Sequence, residues 1–151
     1  MSAEAEALLA GASDVFGASQ NTFGVLDNAD IKFGEVEDEN GEFVQLSNGV
    51  YSRLLESTDG DVRRYAFQTF YDSYIDLENT FASLIASHMK GHNYLAKVRH
   101  YDSARQAALA SNHVPESVYD TLVDEVNKHL PLLHRYVALR KQLLHLEELH
   151  T

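Results

Sequence analysis

Residues 61–88 read DVRRYAFQTFYDSYIDLENTFASLIASH, and their spacing decides the fold class. Val62, Ala66, Phe70, Tyr74, Leu77, Phe81, Leu84, Ile85 and His88 recur at intervals of three and four. That is the period of a helix with one buried stripe. Thr58 or Asp59 stands just before it, with a side-chain oxygen suited to the first free amides. The pattern predicts one long helix that ends or bends near Gly91, with His88 and Lys90 at its negative end.

Helical signals continue on the C-terminal side. Residues 102–112, DSARQAALASN, form a shorter helix capped by Asp102 or Ser103. Pro115-Glu116 opens another, with proline at the first helical position. Its stripe is Val118, Leu122, Val126, Leu133 and Val137. Pro131 lies inside that stripe, lacks an amide donor and crowds the carbonyl of Asn127, so a kink is expected there.

On the N-terminal side, VYSRLLES (50–57) is a short helix. Before it, IKFGEVEDENGEFVQL (31–46) carries two β-type runs around Asp38–Gly41. Asn-Gly between such runs predicts a hairpin, because both residues accept positive φ. A four-residue connection over Asp38–Gly41 would place Ile31, Phe33, Val44 and Leu46 on one face. Gly11, Gly17 and Gly24 mark a loop reaching Asp30. An alanine- and glutamate-rich helix capped by Ser2 precedes that loop, with Leu8 and Leu9 on its buried side. The fold class is mainly α: a single multi-helix lobe over residues 1–151 with one small antiparallel β-hairpin near residues 31–46.

Twelve basic against twenty-three acidic residues give a net charge of −11. Such a field repels phosphate backbones and anionic lipid, which argues against nucleic-acid and membrane partners. With no cysteine, thiolate chemistry and disulfides are excluded. Glutamates stand where a signal peptide would carry lysine or arginine, and a cytoplasmic location is expected.

Four colinear stretches carry a family resemblance: 26–57 (LDNADIKFGEVEDENGEFVQLSNGVYSRLLES), 61–74 (DVRRYAFQTFYDSY), 96–109 (AKVRHYDSARQAAL) and 114–144 (VPESVYDTLVDEVNKHLPLLHRYVALRKQLL). In order and spacing the chain resembles the oligoendopeptidase F family, cytosolic zinc peptidases related to thimet oligopeptidase. The resemblance implies hydrolysis of short peptides by a zinc-bound water, held by a His-Glu-x-x-His helix and a later glutamate. Those residues lie C-terminal to the matching region, so no family catalytic residue maps onto this chain. The expectation is therefore a cleft-wall and scaffold segment, inactive alone, with zinc and oligopeptide substrates belonging to the parent enzyme. Its partners would be the missing catalytic half and, through leucines near 143–149, a second copy of itself. The main alternative is an independent helical protein-interaction module, a truncated paralogue; a second is a small metal binder using His88 and His92.

Two side-chain groups invite a chemical reading. His88-Met89-Lys90-Gly91-His92 has the spacing that puts two imidazoles on one helix face. Met89, however, stands where a general base would follow the first histidine, so the pair reads as a decoy rather than a zinc site. His129/His134 and His145/His150 are five apart and do not share a face; they read as surface or helix-end residues. Tyr94, Arg99, Tyr101 and Arg105 mix aromatic and cationic groups able to line a peptide cleft, arginine forking a substrate carboxylate. The plainer reading of the same stretch is an interhelix junction capped by Asp102 and Ser103. Phe67, Phe70, Tyr71, Tyr74 and Phe81 have core spacing.

Overall fold

A computed structural model describes residues 2–149, which divide between His92 and Asn93 into two compact units. In the first, α1 (Ala3–Gly11) starts where expected: the Ser2 hydroxyl accepts the Ala5 amide at 3.2 Å. Leu8 does not lie on a buried side; it is 73% exposed.

The loop expected after Gly11 is instead α2 (Ser13–Val25), followed by a π-helical turn, Leu26–Asp30, closed by the Ile31 amide on Leu26 O at 2.9 Å. Glycine costs a helix about 1 kcal/mol per residue, and tertiary contacts offset that here. Phe23 meets Phe81 edge-on at 5.8 Å between ring centroids. Phe16 packs beside Gly91, where an added Cβ would sit 3.6 Å from its ring.

The hairpin forms with β1 (Glu35–Glu37) antiparallel to β2 (Phe43–Gln45), Val36 opposite Val44. Asp38 organises its turn. Asp38 O accepts the Gly41 amide at 3.0 Å, and Asp38 Oδ1 accepts the Asn40 and Glu42 amides at 2.8 and 3.2 Å. Those amide bonds hold the Asp38 carboxyl below the usual carboxylate range. Among the two turn residues, Gly41 alone takes positive φ, +82°. The connection is three residues long, 39–41, rather than the expected four, and it ends in a glycine bulge, so Asn40 needs no left-handed φ.

Val36, Leu46, Leu54, Val62, Ala66 and Phe70 form the core, with Phe33, Val44, Tyr51 and Tyr74 packed against it. Val36 joins a face the sequence assigned to Ile31, Phe33, Val44 and Leu46, since residues 31–34 precede the ladder and the two-residue alternation restarts at β1. Helix α3 (Asn48–Leu54) is capped by the Ser47 hydroxyl on the Val50 amide, and α4 (Gly60–Ile75) by Asp59 on the Asp61 amide at 2.8 Å.

The predicted single long helix is two, α4 and α5 (Glu78–Val98). Between them the Leu77 amide reaches Tyr74 O, only three residues back, at 3.0 Å. No glycine or proline marks this break. The Tyr74 hydroxyl donates to Asp27 Oδ1 at 2.9 Å, tying the end of α4 to the π-helical turn. Burial, then that bond, pushes its pKa up to about 12. Gly91 does not end the helix; α5 continues through it to Val98.

Gly34 is required by a close approach: a Cβ there would lie 2.6 Å from the Thr69 methyl on α4. Thr69 is β-branched and stiff, so the strand and helix must move apart. Gly34→Ala is expected to cost about 1–3 kcal/mol of unfolding free energy, read by urea denaturation. An unchanged midpoint would show that this contact yields without strain.

The second unit holds the end of α5, then α6 (Ala104–Ala110) and α7 (Glu116–Leu143). Pro115 sits one residue before α7, at the cap, rather than at its first position. The helix runs unbroken through Pro131, and none of its 28 residues is buried.

Candidate functional site

Tyr94 and Arg99 sit at the end of α5 and just beyond it, Tyr101 in the turn that follows, and Arg105 on α6. Tyr94 is 52% exposed and Tyr101 half-buried. The turn is tightly specified. The Tyr101 amide reaches back to Ala96 O at 2.9 Å, and His100 adopts a left-handed φ of 62°. Ser103 caps α6 by accepting the Gln106 amide at 2.9 Å, while Gln106 Oε1 accepts the Asp102 amide at 2.8 Å. This reciprocal arrangement is a close variant of the capping box.

Arg105 points at α7. Its Nε donates to Glu116 Oε1 and its Nη1 to Asp120 Oδ1, both at 2.8 Å, and the guanidinium lies 5.2 Å from the Tyr119 ring centre. Glu116 and Asp120 are four apart on one face, so the planar fork spans both. These carboxylates, Glu116 first, raise the guanidinium pKa further above its ordinary value. Two of the nitrogens of its fork, Nε and Nη1, are thus engaged inside the chain, fixing α6 against α7. Tyr94 and Arg99 also make contacts within the chain.

Histidine is used in two other ways. His100, His113 and His145 each follow a helix with φ of 62°, 56° and 53°. In each case the next residue's amide closes back on the helix: Tyr101 to Ala96 O, Val114 to Leu109 O, Leu146 to Lys141 O, at 2.9–3.1 Å. These are left-handed C-terminal caps in which histidine holds the place usually given to glycine. The sequence signal existed, in histidines placed just past three apolar-periodic segments, but glycine is the ordinary marker. His150, paired with His145 in the sequence reading, lies outside the described residues.

His88 and His92 do share a face of α5, with Nε2 atoms 3.0 Å apart. Nearby is an apolar cleft of about 560 Å³ lined by Ser19, Gln20, Phe23, Tyr74, Phe81, Leu84, Ile85 and His88. Its α2 side is hidden in the sequence, where Gly11, Gly17 and Gly24 give residues 12–30 the look of a loop. Phe67 and Tyr71, given core spacing, are exposed by 45% and 43%. They flank the stripe, while Phe70 between them is buried.

Zinc, which the family resemblance implies for the parent enzyme, has no fitting donor set here. Among the described residues no group of three or more His, Asp or Glu side chains converges.

Compared with family models, residues 53–151 match Peptidase family M3, and residues 1–33 match Oligopeptidase F. Oligopeptidase PepF of Bacillus subtilis is 50% identical over 150 residues, 99% of this chain but 22% of that protein. Group B oligopeptidase PepB of Streptococcus agalactiae is 48% identical over 149 residues, 99% of this chain and 25% of that protein. Among solved structures, oligoendopeptidase-F from Enterococcus faecium superposes with a TM-score of 0.95 at 63% identity, covering all of this chain and 29% of that one. The chain spans about a quarter of the length of the curated relatives it matches.

Proposed function

Given that this chain belongs to peptidase family M3, we propose that it acts as one wall of an oligopeptidase cleft and does not cleave peptides by itself. The observation that carries this reading is the coverage: likeness extends over 99% of this chain and only 22% of the Bacillus subtilis oligopeptidase. Peptide hydrolysis by a metal-bound water needs about three fixed ligands and an adjacent base. Zinc, when bound in the parent enzyme, supplies that activated water; His88 here is followed by Met89, where the motif has glutamate.

The local contribution is geometric. Arg105 holds α6 against α7 through Glu116 and Asp120 and so positions the turn bearing Arg99 and Tyr101, which follows Tyr94 at the end of α5. These three face oligopeptide substrates in the whole enzyme. The exposed stripe of α7 packs on the zinc-bearing remainder of that enzyme. The cell interior is the compartment this reading favours.

The test is hydrolysis of a quenched fluorogenic peptide by the purified chain, with and without added zinc. No rate above background is expected. Chelator-sensitive turnover that persists through repurification would overturn the proposal.

A further inference from the structure

One turn of α5 places His88 and His92 with their Nε2 atoms 3.0 Å apart and ring centroids 4.4 Å apart. Imidazole nitrogens bind divalent cations at about 2.0–2.1 Å. A cation at that distance from both atoms would subtend an angle of about 90° between them. Tetrahedral bonding needs the two nitrogens roughly 3.4 Å apart, so cations with right-angle bonds enter with the least movement of the two rings. Among nitrogen-binding cations those are copper(II) and nickel(II), square-planar or octahedral in preference. We infer that His88 and His92 chelate one such cation through both Nε2 atoms, in place of the hydrogen bond between them, the ring that donated it shifting its proton to Nδ1, as a site separate from any hydrolytic zinc.

Three further features shape the site. His88 Nδ1 is buried and has no hydrogen-bond partner, which leaves Nε2 as the atom a cation can reach. His92 is exposed, so water can complete the coordination. Gly91, the weakest helix former in this turn, lies between the two ligands, and a bridge from 88 to 92 spans it. The unpartnered Nδ1 also sets the strength. A ligating histidine ordinarily donates its other ring N–H to an acceptor, and lack of that support lowers affinity by about ten- to a hundredfold. The site is therefore a weak accessory one and not a structural centre.

The experiment titrates the whole chain with copper(II), nickel(II) or zinc(II) alone, by calorimetry, and reads the copper complex by electron paramagnetic resonance. One site per chain is expected, with nickel bound at least as tightly as zinc and two imidazole nitrogens coupled to the copper. His92→Ala should lower nickel affinity at least tenfold, and His88→Ala should match it; far-ultraviolet circular dichroism checks that each variant is folded. Because His92 is exposed, that variant remains informative should His88→Ala unfold the turn. Zinc bound more tightly than nickel, or nickel affinity unchanged in folded His92→Ala, overturns the inference.

Discussion

Phe70→Ala is expected to lower the unfolding free energy by about 3–5 kcal/mol, as full truncation of a buried aromatic does. Phe70 is the hub of the first unit. Its ring stacks on Tyr51 at 4.1 Å and on Phe33 at 4.6 Å, with planes within 8° of each other, while Tyr74 tilts against it at 5.4 Å. Tyr51 rides on α3 and Phe33 on the segment before β1, so the removed ring leaves a gap between two elements anchored elsewhere. Partial collapse recovers little, because Leu54 beneath is already fully buried. Phe70→Leu keeps most of the volume but loses the stacking, and should cost about 1–2 kcal/mol. The check is chemical denaturation with the slope compared between variants. A loss under about 1 kcal/mol for the alanine would mean that the aromatic cluster repacks freely.

The isolated chain is expected to self-associate through α7. Leu122, Val126 and Leu133 are each more than half exposed, and Leu143 at 68% extends the same exposure to the end of the helix. Covering even 400 Å² of such surface is worth roughly 10 kcal/mol before the costs of association are subtracted. The net charge of −11 opposes this only weakly, since charges more than about 8 Å apart are screened at physiological salt. In sedimentation, the unaltered chain should shift to heavier species with concentration, and Leu122→Glu with Leu133→Glu should hold it monomeric. A strict monomer at high concentration for the unaltered chain contradicts the expectation. The same surface would be covered by the rest of the peptidase in the proposed whole enzyme.

What could be read from the sequence was whatever is written locally. Ser2, Asp59 and Ser103 cap helices through oxygens visible in the sequence. The hairpin at 35–45 followed from Asn-Gly between β-type runs. What escaped depends on distant partners. Helix α2 looks like a loop because glycines interrupt it, and its justification is Phe81, 58 residues beyond Phe23. The break after Ile75 has no breaker residue, and the Tyr74–Asp27 bond beside it spans 47 residues. For the candidate site, the sequence displayed the fork of Arg105 but not its partners, which sit 11 and 15 residues away on another helix. A guanidinium looks the same whether its carboxylate belongs to a substrate or to the next helix.

The left-handed histidines at 100, 113 and 145 have a bearing on how substitution data from this chain would be interpreted. Alanine at such a position keeps the unfavourable φ and adds no compensating contact, whereas glycine or asparagine occupies it readily. An alanine survey would therefore register these three positions as sensitive and invite a chemical explanation. Glycine, which also deletes the imidazole, would leave them intact. The contrast between the two replacements separates a histidine kept for its ring from one that merely punctuates a helix.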